Sequence, residues 1–593
     1  MAQYLFVKNR KSIESSEMLQ KLEQVCSLLT PTTIKGKSQN TVEVWPEDSS
    51  SFYAIQNSES VAKPEQGALI IGWMQQLDSK KADICDSEAD GSYAVVKNTK
   101  HGVSFFSDQF GSRTLWYYCD ESTLIISTSQ RAIVALKGGF NFNEEALAWY
   151  LSSGNQGPFI SWDQDVKQVL PHLEYKLNII DWRLGSKQKP GIDLPPSGST
   201  KMNDYPKLYQ SEVTTSLDQI ISSYPEGQVL MPLSGGLDSR LLLALSKKAD
   251  LDDKLTLVNW GVVNREEVFD DKVAAQRVAD FYGKDLLDMS LPAQIDSYDQ
   301  VLDSFVEASE GRIDHFNAFT DSFKMWDKFF QSGYRMIIRG DIPFTEGLDI
   351  NTFQARAHIG LEPFKDYANI SEFPVRKYIK LQNEYEVKRL DGESLIRWRD
   401  RLYASWRVPM VISAFSNQIS GFTENRSPML SWSLFKLYMG LPDKDKGNKT
   451  HIKKLWEKND KSGVSCYAVG SLNDLNSLFE NKRGNQYLID ELAAYEKDSR
   501  FSSELIMSIR DKLAEREYNS TVSKSKQILS KAKPALVAAY SQLNDNIPLL
   551  LKSYIRSKRV KNLSATTLAY RIVLAEKIIT MYESDAKQLK VSD

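Results

Sequence analysis

The sequence predicts an α/β protein in three parts, and three observations carry the prediction. Short β-branched and aromatic runs crowd the first ~180 residues. Strands then alternate with helices from about residue 205 to 340, and the chain beyond about 380 reads as helical. In the first part the runs are GALIIGWM (67–74), GSYAVVK (91–97), GVSFFSD (102–108), TLWYYCD (114–120) and STLIIST (122–128), punctuated by Gly, Asp, Asn and Ser. Their close spacing predicts antiparallel pairs. One helix, NEEALAWYLSS (143–153), follows with apolar residues at helical spacing. Residues 185–200, GSKQKPGIDLPPSGST, are rich in Gly, Pro and Ser and read as a linker after a first domain of 1–184.

The second part, 201–480, begins with a helix at 205–222 and a strand at 228–233. A glycine-rich turn leads into a helix at 238–247, then strand 255–260, helix 267–282, a helical region at 301–330 and strand 334–338. Such alternation implies a parallel sheet with helices on both faces. The third part, 481–593, reads as a helical C-terminal extension. Its clustered bases, Lys552, Arg556, Lys558, Arg559 and Lys561, read first as a solvated helix face, with a groove for an acidic partner as the rival.

Composition excludes several classes. The chain of 593 residues is 41% apolar and 25% charged, as expected of a globular protein of several domains. Its net charge of -3 favours neither nucleic acid nor an anionic membrane as partner. Cys26, Cys85, Cys119 and Cys466 are far apart, and the five histidines are scattered. That argues against a zinc ribbon, an iron–sulfur site or a disulfide framework, and fits a reduced, cytoplasmic setting. The first residues hold too short an apolar run for a signal peptide, and no stretch is long enough for a membrane span.

The strongest chemical signal is QVLMPLSGGLDSRLLLALSKK (228–248), centred on Ser234-Gly235-Gly236-Leu237-Asp238-Ser239. An apolar strand enters a tight turn and leaves as a helix. Two glycines let the backbone approach an anion without interference from Cβ. Several N–H groups and the helix N-terminus converge on one point. Ser234 and Ser239 add hydroxyls, and Asp238 can cap the helix or hold magnesium over phosphates. S-G-G alone is a common turn and Asp238 alone a common cap; the whole string at a strand–helix junction is specific. No Walker pattern G-x-x-x-x-G-K-[ST] is present.

The string resembles the PP-loop ATP pyrophosphatases. That resemblance implies a loop that binds the β,γ-pyrophosphate of MgATP while the α-phosphate stays with the substrate as an acyl adenylate. A wider resemblance, over roughly residues 65–460, is to the asparagine synthetase-like amidotransferases, which include β-lactam synthetases and lasso-peptide cyclases. SFFSDQFGSRTLWYY (104–118) is similar to the R-D-x-x-G-x-[KR]-P-L-Y-Y hairpin of that family, and STSQRAIVAL (127–136) to its S-E-x-K-A-L segment. Helix 143–153 resembles its y-L-x-x-G step. LTLVNWG (255–261) resembles the strand whose backbone contacts adenine, and VFDDKVAAQRVADFYG (268–283) the D-E-x-x-x-A-x-x-V-A-x-x-x-G helix. ENRSPMLSWSLFKLYMGLP (424–442) resembles E-x-R-x-P-F-L-D followed by L-P, and GNKTHIKK (447–454) the K-x-x-L-R segment, with Lys449 on the lysine and Lys453 on the arginine.

The resemblance implies a glutaminase-like N-terminal α/β sandwich of the N-terminal-nucleophile type, then a PP-loop, adenine-nucleotide α-hydrolase-like domain. It implies ATP and Mg2+ as cofactors, with Leu233, Ser234, Gly235, Gly236, Asp238, Ser239, Val258 and Gly340 on the nucleotide and Asp238 and Asp341 on the metal. It implies Lys449, Asp341 and Arg339 in catalysis. Three departures modify it. Residue 2 is alanine where the glutaminases carry their nucleophilic cysteine, so the first domain is expected to keep the fold without the activity. The S-G-E-G-A-D-E segment reads Arg339-Gly340-Asp341-Ile342-Pro343-Phe344, so Asp341 replaces either the catalytic Glu or the metal-binding Asp, with Glu346 nearby. The P-F-L-D aspartate is Ser431.

The expected activity is an ATP-dependent carbon–nitrogen ligase that adenylates a small-molecule or peptide carboxylate and takes nitrogen from a substrate amine or ammonia. A homodimer or a pathway partner protein is compatible with it. The rival readings are an asparagine synthetase, a PP-loop enzyme that modifies tRNA, and a nucleotide-binding pseudoenzyme scaffold.

Overall fold

The computed structural model describes residues 3–58, 67–75, 89–262, 271–344, 350–360, 368–370, 373, 388–464, 475–496, 500–515 and 563–589. Glu346, Cys85, Cys466 and the basic cluster at 552–561 lie outside the described residues. The architecture is mixed α/β, with two antiparallel sheets, one parallel sheet and flanking helices.

The N-terminal strands are β1 (Gln3–Asn9), β2 (Thr41–Trp45), β3 (Asp48–Gln56), β4 (Ala68–Met74), β5 (Gly91–Thr99), β6 (Gly102–Ser107), β7 (Trp116–Cys119), β8 (Thr123–Ser127), β9 (Lys167–Gln168), β10 (Leu173–Asn178) and β11 (Arg183–Gln188). They form a six-stranded sheet ordered β2-β3-β1-β8-β7-β9 and a five-stranded sheet ordered β11-β10-β6-β5-β4. Side chains alternate across a strand, and β1 shows what that does. Its Tyr4 and Phe6 join Ile126 and Phe105 in the core between the sheets. Its Leu5 and Val7 face outward and pack with helix α1 (Ser15–Leu29) and helix α2 (Gln130–Lys137). Both faces are covered, so the strand reads as a continuous apolar run. Helix α3 (Glu144–Ser153) follows.

The second sheet system is β12 (Val229–Pro232), β13 (Leu255–Val262), β14 (Leu286–Leu291), β15 (Met336–Ile338) and β16 (Glu424–Arg426), all parallel, in the order β14-β13-β12-β15-β16. Its helices are α4 (Tyr205–Ser222), α5 (Leu237–Lys248), α6 (Asp271–Phe281), α7 (Tyr298–Ser309) and α8 (Lys324–Gln331). Val229 and Met231 pack under α4 and α5, while Leu230 faces the opposite layer. β12 lies at the centre, so its C-terminal end opens between two neighbours, where ligands bind in sheets of this kind.

Four expectations are corrected. The helical region at 301–330 is two helices, because Glu310 (φ 54°) and Gly311 (φ 70°) take left-handed conformations and end α7. The linker does not begin at 185: residues 185–188 belong to β11, paired with β10, and Lys189 is fully buried. The chain beyond 380 is not helical throughout, since three residues supply β16, too few and too polar to signal a strand. The C-terminal helix, Ala565–Gln588, is no appended extension. It packs on α2, α3 and α7, with Arg131 Nε 2.7 Å from Asp585 Oδ2. Its apolar and buried residues run all round it, the pattern of a helix enclosed by neighbours. Among the described residues, no helix is long and apolar enough to cross a membrane.

Lys189 gives a pH test of this packing. Its ammonium donates to Ser107 O at 2.6 Å, and burial pulls its pKa down to about 8, partly opposed by Asp108. An unfolded lysine titrates near ~10.4, so between about pH 8 and 10 the unfolded chain holds more protons than the folded one, and stability rises with pH. Above that window, buried tyrosines such as Tyr4 and Tyr150, whose pKa values are raised, pull the other way. Lys189→Met is expected to flatten the rise of thermal midpoint from pH 8 to 10. An unchanged slope counts against a buried, depressed lysine.

Candidate functional site

β12 ends at Pro232, and the chain turns through Leu233, Ser234, Gly235 and Gly236 before α5 starts at Leu237. Gly236 is the helix N-cap and has no side chain to close it, so neighbours complete the turn. Ser239 Oγ accepts from Ser234 N at 3.1 Å and lies 2.9 Å from Ser234 Oγ. Ser234 Oγ accepts from Gly236 N at 3.2 Å. The N–H of Gly235 donates to Asp271 Oδ1 at 2.9 Å. Asn259 Nδ2, from β13, donates to Leu233 O at 2.7 Å and to Asp271 Oδ2 at 3.3 Å. A carboxylate oxygen thus occupies the loop, the behaviour expected of an anion cradle.

Asp238 stands in the first turn of α5, and Lys449 Nζ donates to its Oδ2 at 2.7 Å. Lys449 takes φ 55°, a conformation uncommon for a residue with a Cβ and often found at functional sites. Gly340, beyond β15, is needed for closeness: a Cβ there would come 3.1 Å from that of Asp238. Arg339 Nη2 donates to Asp341 Oδ1 at 3.2 Å, and Ser427 Oγ donates to Asp341 Oδ2 at 2.8 Å.

These residues line one cavity of about 610 Å³ at the C-terminal ends of β12, β13 and β15. Leu233, Ser234, Asp238, Ser239, Val258, Arg339, Gly340 and Asp341 all contribute to it. Gly235 and Gly236 form the turn beneath, and Lys449 joins through Asp238. Val258 C=O already accepts from Leu233 N at 2.8 Å, so its carbonyl has only its second lone pair to offer. The opposite wall holds Trp260, His315, Asn317, Phe319, Trp326 and Phe415. Among the described residues no three His, Cys, Asp or Glu side chains gather as a ready-made metal cluster. Asp238 and Asp341 are the two sequence-predicted metal carboxylates, and both line the cavity.

Sequence reasoning missed several supporting residues. Asp271 and Asn259 lie in segments it singled out, yet nothing in their spacing marks them as loop partners. Arg240, one residue past the motif, is fully buried. It holds Asp460 Oδ2 at 2.7 Å, Val464 O at 2.7 Å and Ser462 Oγ at 2.9 Å, with Trp456 5.0 Å away. Ser431 caps the helix Trp432–Met439, and Asp90 supplies the carboxylate there. Asp90 accepts from Ser431 Oγ at 2.7 Å and from the N–H groups of Trp432 and Ser433 at 2.8 Å each.

No family model and no curated protein matches the chain. Several solved structures show a slight likeness. One is described as the allosteric regulatory enzyme of purine biosynthesis, 9% identical, TM-score 0.21, with 45% of this chain and 66% of that one covered. Another is glutamine phosphoribosylpyrophosphate amidotransferase from B. subtilis in complex with ADP and GMP, 9% identical, TM-score 0.20, with 58% of this chain and 83% of that one covered. At these scores the likeness carries no argument.

Arg240 anchors the loop helix, and removing it strands a buried carboxylate. Arg240→Ala is expected to cost about 3–5 kcal/mol, seen as a lower thermal midpoint. A midpoint unchanged from wild type would show that Asp460 is not confined with it.

Proposed function

We propose that the chain is an ATP-dependent carbon–nitrogen ligase that adenylates a carboxylate and couples it to a nitrogen nucleophile, releasing AMP and pyrophosphate. The observation that carries this reading is the S-G-G-L-D-S turn between β12 and α5, whose Gly235 N–H already holds an anion, beside the Asp238–Lys449 pair. The resemblance of that turn to the PP-loop, and of the wider chain to asparagine synthetase-like enzymes, supports a glutaminase-like first domain and an ATP-binding second one.

In this reading the loop N–H groups and the hydroxyls of Ser234 and Ser239 receive the β,γ-phosphates, displacing the carboxylate of Asp271. Leu233, Val258 and Gly340 border the base. Lys449 leaves Asp238 to meet charge that develops on the pyrophosphate as it departs, and Arg339 serves the α-phosphate or the substrate carboxylate through its planar fork. Mg2+, when bound through Asp238 and Asp341, would offset phosphate charge. The departures at 339–346 and at Ser431 make asparagine synthetase the weaker reading within the class.

The test is ATP–pyrophosphate exchange across amino acids, uronic acids and peptides. Asp238→Asn is expected to abolish exchange in a folded protein, and Lys449→Ala to lower kcat by about 10²–10³ with ATP affinity changed far less. Wild-type-like turnover in Asp238→Asn would remove the central claim. A chain that binds ATP and never exchanges pyrophosphate is instead a nucleotide-binding scaffold.

The nitrogen source is a second test. Cys26 is buried in α1 and burial pushes its thiol up to about 12; burial raises Cys119 as well. Neither offers the thiolate that attack on glutamine requires. Glutamine with MgATP is expected to release no glutamate, while free ammonia or an amine supports product. Glutamate appearing in step with AMP would restore a glutamine-dependent reaction.

A further inference from the structure

The acyl-transfer half of such a reaction needs a proton acceptor. Asp271 holds the loop, Asp238 holds Lys449, and Asp341 is bonded to Arg339 and Ser427. One imidazole lines the same cavity. We propose, resting on the adenylation reading above, that His315 is the base that takes the proton from the nitrogen nucleophile, with Asp314 and Arg571 as its positioning residues.

The side chain of His315 is 46% exposed on the cavity wall, edge-on to Phe415 at 5.9 Å. Its Nδ1 lies 2.8 Å from Asp314 Oδ1, at ion-pair distance though without the alignment of a full hydrogen bond. Asp314 is buried and fixed. Its Oδ2 accepts from Arg571 Nε at 2.8 Å and from Tyr570 OH at 3.2 Å, and its N–H donates to Gly154 O at 2.9 Å. Arg571 Nη1 is held by Leu151 O and Ser152 O at 2.9 Å each. Gly154 leaves room for this: a Cβ there would stand 2.3 Å from Asp314 Oδ2 and 2.6 Å from Arg571 Nη2. Burial works to raise the Asp314 pKa, but Arg571 and His315 hold it at about 2, so the carboxylate is a fixed negative charge. An anion beside Nδ1 favours the tautomer with its proton there, which leaves the Nε2 lone pair for an incoming proton.

The step balances. The amine nitrogen bonds to the acyl carbon of the adenylate, and the bond from that carbon to the AMP oxygen breaks, AMP leaving with the electron pair. The nitrogen, cationic as it bonds, gives its proton to His315 Nε2. The products are the amide, AMP and an imidazolium beside Asp314. The charged groups around the imidazole are Asp314, Arg571 behind it, and Asp238, Asp271, Asp341 and Arg339 on the same cavity.

The test uses the full chain, with the carboxylate of the panel that gives the strongest wild-type exchange. His315→Gln is expected to keep ATP–pyrophosphate exchange within a few-fold and to lower amide formation from ammonia by about 10²–10⁴-fold. Hydroxylamine, a nucleophile whose conjugate acid is far more acidic, should restore product in the variant, and the acid limb of the kcat–pH profile should disappear. Exchange and amide formation falling together would make His315 a wall of the nucleotide site and overturn the proposal, as would undiminished amide formation. A wild-type chain without exchange counts against adenylation itself, a different outcome. Independently of turnover, nitrogen NMR of histidine-labelled protein, with His315→Gln for assignment, should find the proton of the neutral ring on Nδ1 and Nε2 bare. A protonated Nε2 in the neutral ring overturns the assignment.

Discussion

The N–H groups of the turn after β12 require an acceptor, and the parallel sheet is organised around that requirement. The central strand ends at Pro232, and in the turn that follows, Leu233 N–H meets the Val258 carbonyl while the later N–H groups turn to side chains. Asp271 meets the Gly235 donor, Ser239 meets Ser234, and Asn259 ties the neighbouring strand to both the loop and Asp271. In the proposed reading, a phosphate that enters competes with the Asp271 carboxylate already in place, and the loop keeps its shape without it. Lys449 follows the same logic: an uncommon backbone conformation is accepted so that its ammonium reaches Asp238.

A second constraint runs through residues 310–315. Glu310 accepts from Gln130 N at 2.7 Å and from Ser129, Arg312 donates to Pro409 O at 2.8 Å and Ser413 Oγ at 2.6 Å, and Asp314 pairs with Arg571. Burial raises the pKa of Glu310 and lowers that of Arg312 to about 10. Such groups cost free energy to bury and are weak evidence for stability. Their partners come from the first domain, from the Tyr403–Ile412 helix region and from the C-terminal helix. The segment that bears His315 is therefore held from three separate stretches of the chain.

Much of this was legible in the sequence because it is local. The turn chemistry of 234–239, the period-2 runs of the first half and the strand–helix alternation each depend on neighbours within a few residues. Asp238, Gly340 and Asp341 could be placed together through the resemblance, and the parallel sheet brings their strand ends to one edge. What the sequence hid depends on distant pairing. Nothing in Asp314 or Arg571, 257 positions apart, marks them as partners, and a lone histidine among aromatic residues reads as core. β16 is too short to show periodicity, and β11 continues into a stretch whose glycine, lysine and serine suggest a linker.

One replacement within the motifs and two buried carboxylates show how the N-terminal part supports the rest of the chain. Where the resemblance calls for an aspartate at the start of helix Trp432–Met439, the chain has Ser431, and Asp90 brings the carboxylate from the loop before β5. Glu424 of β16 is fully buried and meets Arg113, which follows β6, at 2.8 Å. Glu310 depends on Ser129 and Gln130 of the α2 start. Without the first domain, Glu424 and Glu310 would lose these partners and the Trp432 helix its carboxylate. Each stranded buried charge costs several kcal/mol, comparable in sum to the whole stability of a domain, ~5–15 kcal/mol. The N-terminal part therefore contributes charge partners that the parallel-sheet part cannot replace from within itself.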